Sequence, residues 1–163
     1  MNRKQHWEKV YRARSPDAVS WYQARPEPSI SMIESSGLPR DTAIIAVGGG
    51  ASNLVDPPLL EGYTHLTVLD LAASALEHAR QRLGKRAEQV SWIEADITRF
   101  APTHRYLLWH DRAVLHFLTA EEDRNAYLRT LRLSTQVGGH VIIGTFSLEG
   151  PEQCSGLDVM RYS

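Results

Sequence analysis

Four short stretches end in residues that can bind or react. "AIIAVGGGAS" runs from Ala43 into Gly48, Gly49 and Gly50. "HLTVLDL" ends in Asp70 and Leu71, "WIEADI" in Asp96 and Ile97, and "YLLWHD" in His110 and Asp111. Glycines after an apolar run let a ligand approach the backbone, because no Cβ stands in the way. A carboxylate about twenty positions beyond such a turn can accept hydrogen bonds from both hydroxyls of a ribose, and Asp70 stands there relative to Gly48. Asp96 can accept from the exocyclic amine of an adenine, with the Ile97 N–H reaching a ring nitrogen. Two ligand classes use a glycine turn followed by an acid. The dinucleotide motif G-x-G-x-x-G needs glycine at position 53, and this chain has Asn53. That counts against NAD and an NAD-dependent oxidoreductase, and the second acid counts for another adenosine-bearing ligand.

Each residue also has a plainer reading. Asp70 can cap the next helix. Asp96 can be a surface acid, and Asp111 can pair with Arg112 as a structural ion pair. His110 and His116 show no metal-ligand spacing, and the only cysteine, Cys154, is distant in sequence, so no metal is expected.

These residues need a scaffold, and the sequence supplies a regular one. "AIIAV", "HLTVLDL", "VSWIEAD", "RYLLWHD" and "HVIIGTF" read as five strands. Helical segments alternate with them. "SNLVDPPLLEG" is weakened by Pro57 and Pro58. "AASALEHARQRLG" has apolar spacing at Ala75, Leu76, Ala79 and Leu83 and a stop at Gly84. "TAEEDRNAYLRTLRLSTQVGG" offers Thr119 as its N-cap and the pair Gly138 and Gly139 as its end. Alternation of this kind implies a parallel sheet with helices on both faces. In such sheets ligands bind beyond the carboxyl ends of the strands, which gathers all four stretches on one edge. Ahead of them, "QHWEKVYRARS" reads as an amphipathic helix with Trp7, Val10 and Tyr11 on one face. Pro16, Pro26 and Pro28 break the next segment, and "SISMIESSGLP" is a short helix stopped by Gly37 and Pro39.

The chain has 163 residues and a formal net charge of −1. The length suits one domain. The charge supplies no basic field for nucleic acid, and no apolar run is long enough to span a bilayer. A single cysteine fits a reducing, cytoplasmic setting.

Together, "IAVGGGAS", "LTVLDLA" and "WIEADIT" resemble the three cofactor motifs of class I S-adenosylmethionine-dependent methyltransferases. "YLLWHDRAVLHFLTAEEDRNAYL" is similar to the branch that includes thiopurine, tellurite-resistance and protein-lysine methyltransferases, and "VGGHVIIGTF" to that fold's fifth strand. The resemblance covers roughly residues 41–146. It implies a Rossmann-like, doubly wound parallel sheet, an N-terminal substrate-side segment over residues 1–40 and a cofactor-binding region over residues 41–163. It further implies methyl transfer from S-adenosylmethionine, with S-adenosylhomocysteine as product, to a small molecule or a protein side chain. Gly48, Gly49 and Gly50 would receive the methionine part, Asp70 and Leu71 the ribose and adenine, and Asp96 and Ile97 the adenine edge. His110 would border the methionine end, and Asp111 or His116 would serve as base if the acceptor must lose a proton. Trp7, Tyr11, Trp21 and Tyr22 would cover the pocket, where aromatic faces can attract a sulfonium. Two features depart from the family: Ala46 stands where an acid is usual, and no final antiparallel strand pair continues beyond the fifth strand. These departures leave a weakly active or inactive cofactor-binding domain as the alternative. They also lead to the expectation that the sheet edge along residues 141–146 pairs with a second copy or aggregates.

Overall fold

A computed structural model describes residues 2–57, 61–112 and 114–163. Its strands are β1 (Ala43–Val47), β2 (His65–Asp70), β3 (Val90–Glu94), β4 (Tyr106–Arg112) and β5 (Thr135–Gly144). They form one sheet in the order β3-β2-β1-β4-β5, and all four pairings are parallel. Side chains alternate across a strand, so β1 feeds two cores. Ile44 and Ala46 join Val68, Leu76, Leu108 and Ile33 on one face. Ile45 and Val47 join Leu69, Trp109 and Tyr127 on the other. Full burial of each such aliphatic side chain contributes about 1.5–3 kcal/mol, which explains why β1 is apolar without alternation.

The helices described in full beside the sheet are α1 (Arg3–Ala13), α2 (Glu27–Ser35), α3 (Ala73–Leu83) and α4 (Glu121–Ser134). Asn2 and Gln5 form a capping box that starts α1. Helix α3 buries Ala75, Leu76, Ala79 and Leu83, the four positions its spacing marked, and stops at Gly84 with φ +57°. The segment from Ser52 into the two prolines lies partly outside the described residues, of which 56 and 57 are helical.

The α4–β5 junction differs from expectation. Ala120, not Thr119, stands at the N-cap, with no side-chain bond, and the dipole is met instead by Glu121, Glu122 and Asp123 in the first turn. The helix gives way directly to β5 at Thr135, so Gly138 and Gly139 lie inside a strand. They mark an irregularity there: the register between β4 and β5 shifts between Tyr106 and Leu108. A Cβ at Gly139 would fall 3.0 Å from the Leu107 carbonyl oxygen, so the glycine is needed for close strand approach.

Among the described residues no strand pairs with the outer edge of β5, where Val141 is 44% exposed. The tail does not cover that edge. It folds into two small pairs, β6 (Phe146–Ser147) with β9 (Arg161–Tyr162), and β7 (Gln153–Cys154) with β8 (Leu157–Asp158). The Met160 N–H donates to the His116 carbonyl at 2.7 Å, which docks the tail beside the strand ends. No described helix is long and apolar enough to cross a membrane.

Candidate functional site

A cavity opens where the carboxyl ends of the strands meet α1. Its floor is the glycine turn after β1. Gly48 has φ +67°, and a Cβ there would fall 2.1 Å from Val114 Cγ2; both the backbone and the packing exclude a side chain. The Gly48 N–H donates to the Leu69 carbonyl at 2.7 Å, which ties the turn to β2. Gly48 and Gly49 line the cavity, but Gly50 does not. A Cβ at Gly50 would come 2.8 Å from Ala75 Cβ, so this glycine lets α3 pack close to the turn.

Asp70 closes β2 and lines the same cavity. Its Oδ2 accepts from the Gly50 N–H at 3.0 Å and its Oδ1 from the Ala72 N–H at 2.9 Å. The helix-capping reading of Asp70 is therefore partly realised. Each carboxylate oxygen has two lone pairs, so both keep capacity toward the cavity. Burial pushes Asp70 up to about 6, against the pull of these backbone donors. Leu71, Asp96 and Ile97 continue the wall. Asp96 Oδ1 accepts from the Thr98 N–H and hydroxyl at 2.9 and 2.7 Å, and its Oδ2 lies 3.7 Å from the Arg3 guanidinium.

The end of β4 divides by the pleat. His110 and Arg112 line the cavity, whereas Asp111 between them does not. Asp111 is fully buried, accepting from Val114 N–H (2.8 Å), Leu115 N–H (3.0 Å) and Tyr127 Oη–H (2.7 Å). Burial pushes it up to about 6. This corrects two expectations. Asp111 makes no ion pair with Arg112, and it is withdrawn from the cavity where a catalytic base would stand. Its work is to hold the turn that presses Val114 against Gly48. His110 bonds Ser29 Oγ at 2.9 Å, and burial together with the Arg112 charge lowers it to about 4. His116 lines the cavity between Phe117 and Phe146, with ring centroids 4.3 and 4.7 Å away. It is 2% exposed, neither ring nitrogen has a partner among the described residues, and burial lowers it to about 4.

Helix α1 and the segment after it roof the cavity. Trp7, Tyr11, Trp21 and Tyr22 all line it. Trp7 stacks on Tyr11 and meets Trp21 and Phe117 edge-on. Polar ties hold this roof. Arg3 pairs with Asp123 at 3.2 Å, Lys4 pairs with Glu94, and the His78 ring bonds the Tyr11 carbonyl oxygen at 2.8 Å. Glu8 Oε1 accepts from the Ala73 N–H at 2.6 Å, capping α3, whose own N-cap residue is Ala72. Sequence reasoning did not single out Arg3, Arg112, Val114, Phe117 or Phe146 for this cavity. The periodic aromatics of α1 and the "HDRAVLHF" stretch were the available signals; the fold-back of Phe146 had none.

A parallel sheet in this order, with a glycine turn and strand-end acids around one cavity, is the Rossmann-like fold of class I methyltransferases. A family model described as nodulation protein S (NodS) matches residues 3–148, and the chain belongs to that family. Nodulation protein S of Bradyrhizobium diazoefficiens is 30% identical over 115 residues, 71% of this chain and 53% of that protein. A Danio rerio eEF1A lysine and N-terminal methyltransferase is 27% identical over 119 residues, 72% of this chain and 17% of the other. The chain thus spans about half the length of the first relative and less than a fifth of the second. The crystal structure of the N-methyltransferase NodS from Bradyrhizobium japonicum WM9, in complex with S-adenosylhomocysteine, shares the fold. Its TM-score is 0.66 at 22% identity, covering 83% of this chain and 71% of that one.

Proposed function

We propose that this chain binds S-adenosylmethionine in the cavity at the strand ends and passes its methyl group to a nitrogen nucleophile on a small molecule or protein side chain. The observation that carries this reading is the convergence of Gly48, Gly49, Asp70, Leu71, Asp96 and Ile97 on one cavity. The relatives named as N- or lysine methyltransferases support the acceptor class. The residues fit the cofactor: the turn excludes side chains at Gly48, and Asp70 keeps a free lone pair on each oxygen for the ribose hydroxyls. Leu71 and Ile97 offer apolar contact to adenine, and Asp96 an acceptor for its amine.

When bound, the cofactor supplies a methyl group already activated by its sulfonium. The protein's share is alignment and exclusion of water. Trp7, Tyr11 and Trp21 supply the dry aromatic cover. His116 stays neutral at physiological pH, and its one unprotonated ring nitrogen can accept a hydrogen bond or a proton from the acceptor group. The single cysteine and near-neutral charge support a cytoplasmic setting and a partner other than nucleic acid.

Calorimetric titration with S-adenosylhomocysteine and with NAD tests the ligand class. Saturable binding of the first and none of the second is expected; the reverse would overturn the reading. Transfer of labelled methyl from S-adenosylmethionine to a panel of amines then tests turnover. Binding without transfer to any amine would leave a cofactor-binding domain.

A further inference from the structure

Arg112 is the cavity-lining cation that no described carboxylate meets. Its Nη2–H donates to the Trp21 carbonyl at 3.2 Å. Asp111, its neighbour in the chain, is turned to the opposite face and accepts from Val114, Leu115 and Tyr127 there. Arg3, the other cavity-lining arginine, already has Asp96 and Asp123. A guanidinium has five N–H donors. Drawing it partly out of water without an anionic partner is costly, and that burial lowers its affinity for its own proton.

The order of the strands says what such a cation faces. The rim residues run along the sheet: Asp96 beyond β3, Asp70 at the end of β2, Gly48 beyond β1, Arg112 at the end of β4. Val47 is level with Asp111, so Arg112 stands one step further along β4, beside Gly48. Three inter-strand steps of roughly 4.8 Å separate the first and last positions, about 14 Å in all. An extended adenosyl amino acid has that reach, with adenine at one end and a carboxylate at the other. At the Arg112 end, β1 offers Ala46 and Val47, and the group level with Ala46 is the neutral imidazole of His110. Among the described residues nothing there offers a negative charge to an ammonium.

We propose that Arg112 binds the carboxylate of the cofactor's amino-acid end, and that this chain selects its cofactor through that carboxylate rather than through the ammonium. The proposal rests on the cofactor reading above. A planar guanidinium can hold a carboxylate through two parallel hydrogen bonds, and its tether to Trp21 links that contact to the aromatic cover.

The test compares S-adenosylhomocysteine with its decarboxylated analogue, which keeps the amine, by calorimetry on the wild-type chain, Arg112→Gln and Arg112→Lys. The wild type should bind S-adenosylhomocysteine at least about tenfold more tightly than the analogue. Arg112→Gln should weaken S-adenosylhomocysteine by roughly ten- to a hundredfold and leave the analogue within about twofold; Arg112→Lys should fall between. Unchanged binding of the analogue serves as the check that the variant is folded. Equal wild-type affinity for the two ligands would overturn the proposal without any variant. So would a parallel loss of both ligands in Arg112→Lys, which would reduce Arg112 to a structural tether. A wild-type chain that binds neither ligand would instead remove the cofactor reading itself.

Discussion

Asp70 is the last residue of β2 and Asp111 the last but one of β4, the two strands that flank β1, and by residue type they look alike. Both are buried, both accept from backbone N–H groups, and burial pushes both up to about 6. Yet Asp70 borders the cavity and Asp111 does not. The difference is the pleat. On β4 the alternating residues His110 and Arg112 take the cavity side, which sends Asp111 toward Tyr127 of α4. A strand-end acid is therefore a site residue only where its remaining lone pairs look into the site. A perturbed pKa does not separate the two cases.

Substitution should separate them, and the largest effect belongs to the residue outside the cavity. Asp111→Ala strands the Tyr127 hydroxyl and two backbone N–H groups. We expect a loss of about 3 kcal/mol or more in denaturant unfolding. An unchanged midpoint would show that the turn holds itself. Asp70→Asn should act mainly on binding. It turns an NH2 group toward a backbone donor and removes the charge that strengthens the ribose bonds. A loss of about 1.5–3 kcal/mol in S-adenosylhomocysteine affinity is expected, roughly ten- to a hundredfold. A folded variant with wild-type affinity would take Asp70 out of the site.

Titration sharpens the comparison further. Asp70 and Asp111 bind protons more tightly when folded, so their contribution to stability is present below pH 3.8 and is lost as pH rises through about 6. His110 and His116 go the other way. Their folded values lie near 4 against an ordinary 6.5, so stability grows as pH climbs between those limits. The two pairs oppose each other, and the wild type should change little over this window. In His116→Gln one rising contribution is gone. The wild-type advantage over that variant should increase with pH from 4 to 6.5, by at most about 3 kcal/mol. A constant difference, measured by unfolding at several pH values, would mean that His116 titrates normally.

Much of this architecture was legible in the chain. The five apolar runs, the α3 spacing at Ala75, Leu76, Ala79 and Leu83, and the glycine turn rest on local pattern, and local pattern survives folding. The start of β5 did not. Gly138 and Gly139 read as a helix stop, but Gly138 takes a φ of +78° inside the strand and Gly139 lies close against the Leu107 carbonyl of the neighbouring strand. Asp111 failed for a related reason. Its partner Tyr127 is 16 residues away, on a helix whose rotation the sequence leaves open. The role of the tail was hidden because Phe146 meets His116 only after the chain reverses. Arg112 was visible as a charge, but that no described carboxylate meets it is a fact of three dimensions.

The central claim is that one ligand lies along the rim from Asp96 to Arg112. A crystal structure of the 163-residue chain grown with S-adenosylhomocysteine tests it most directly. The account predicts adenine against Asp96 and Ile97, ribose hydroxyls on Asp70, the thioether over Gly48 and the carboxylate on Arg112. Ligand bound elsewhere, or bound in the opposite sense with its carboxylate toward Asp96, would contradict it.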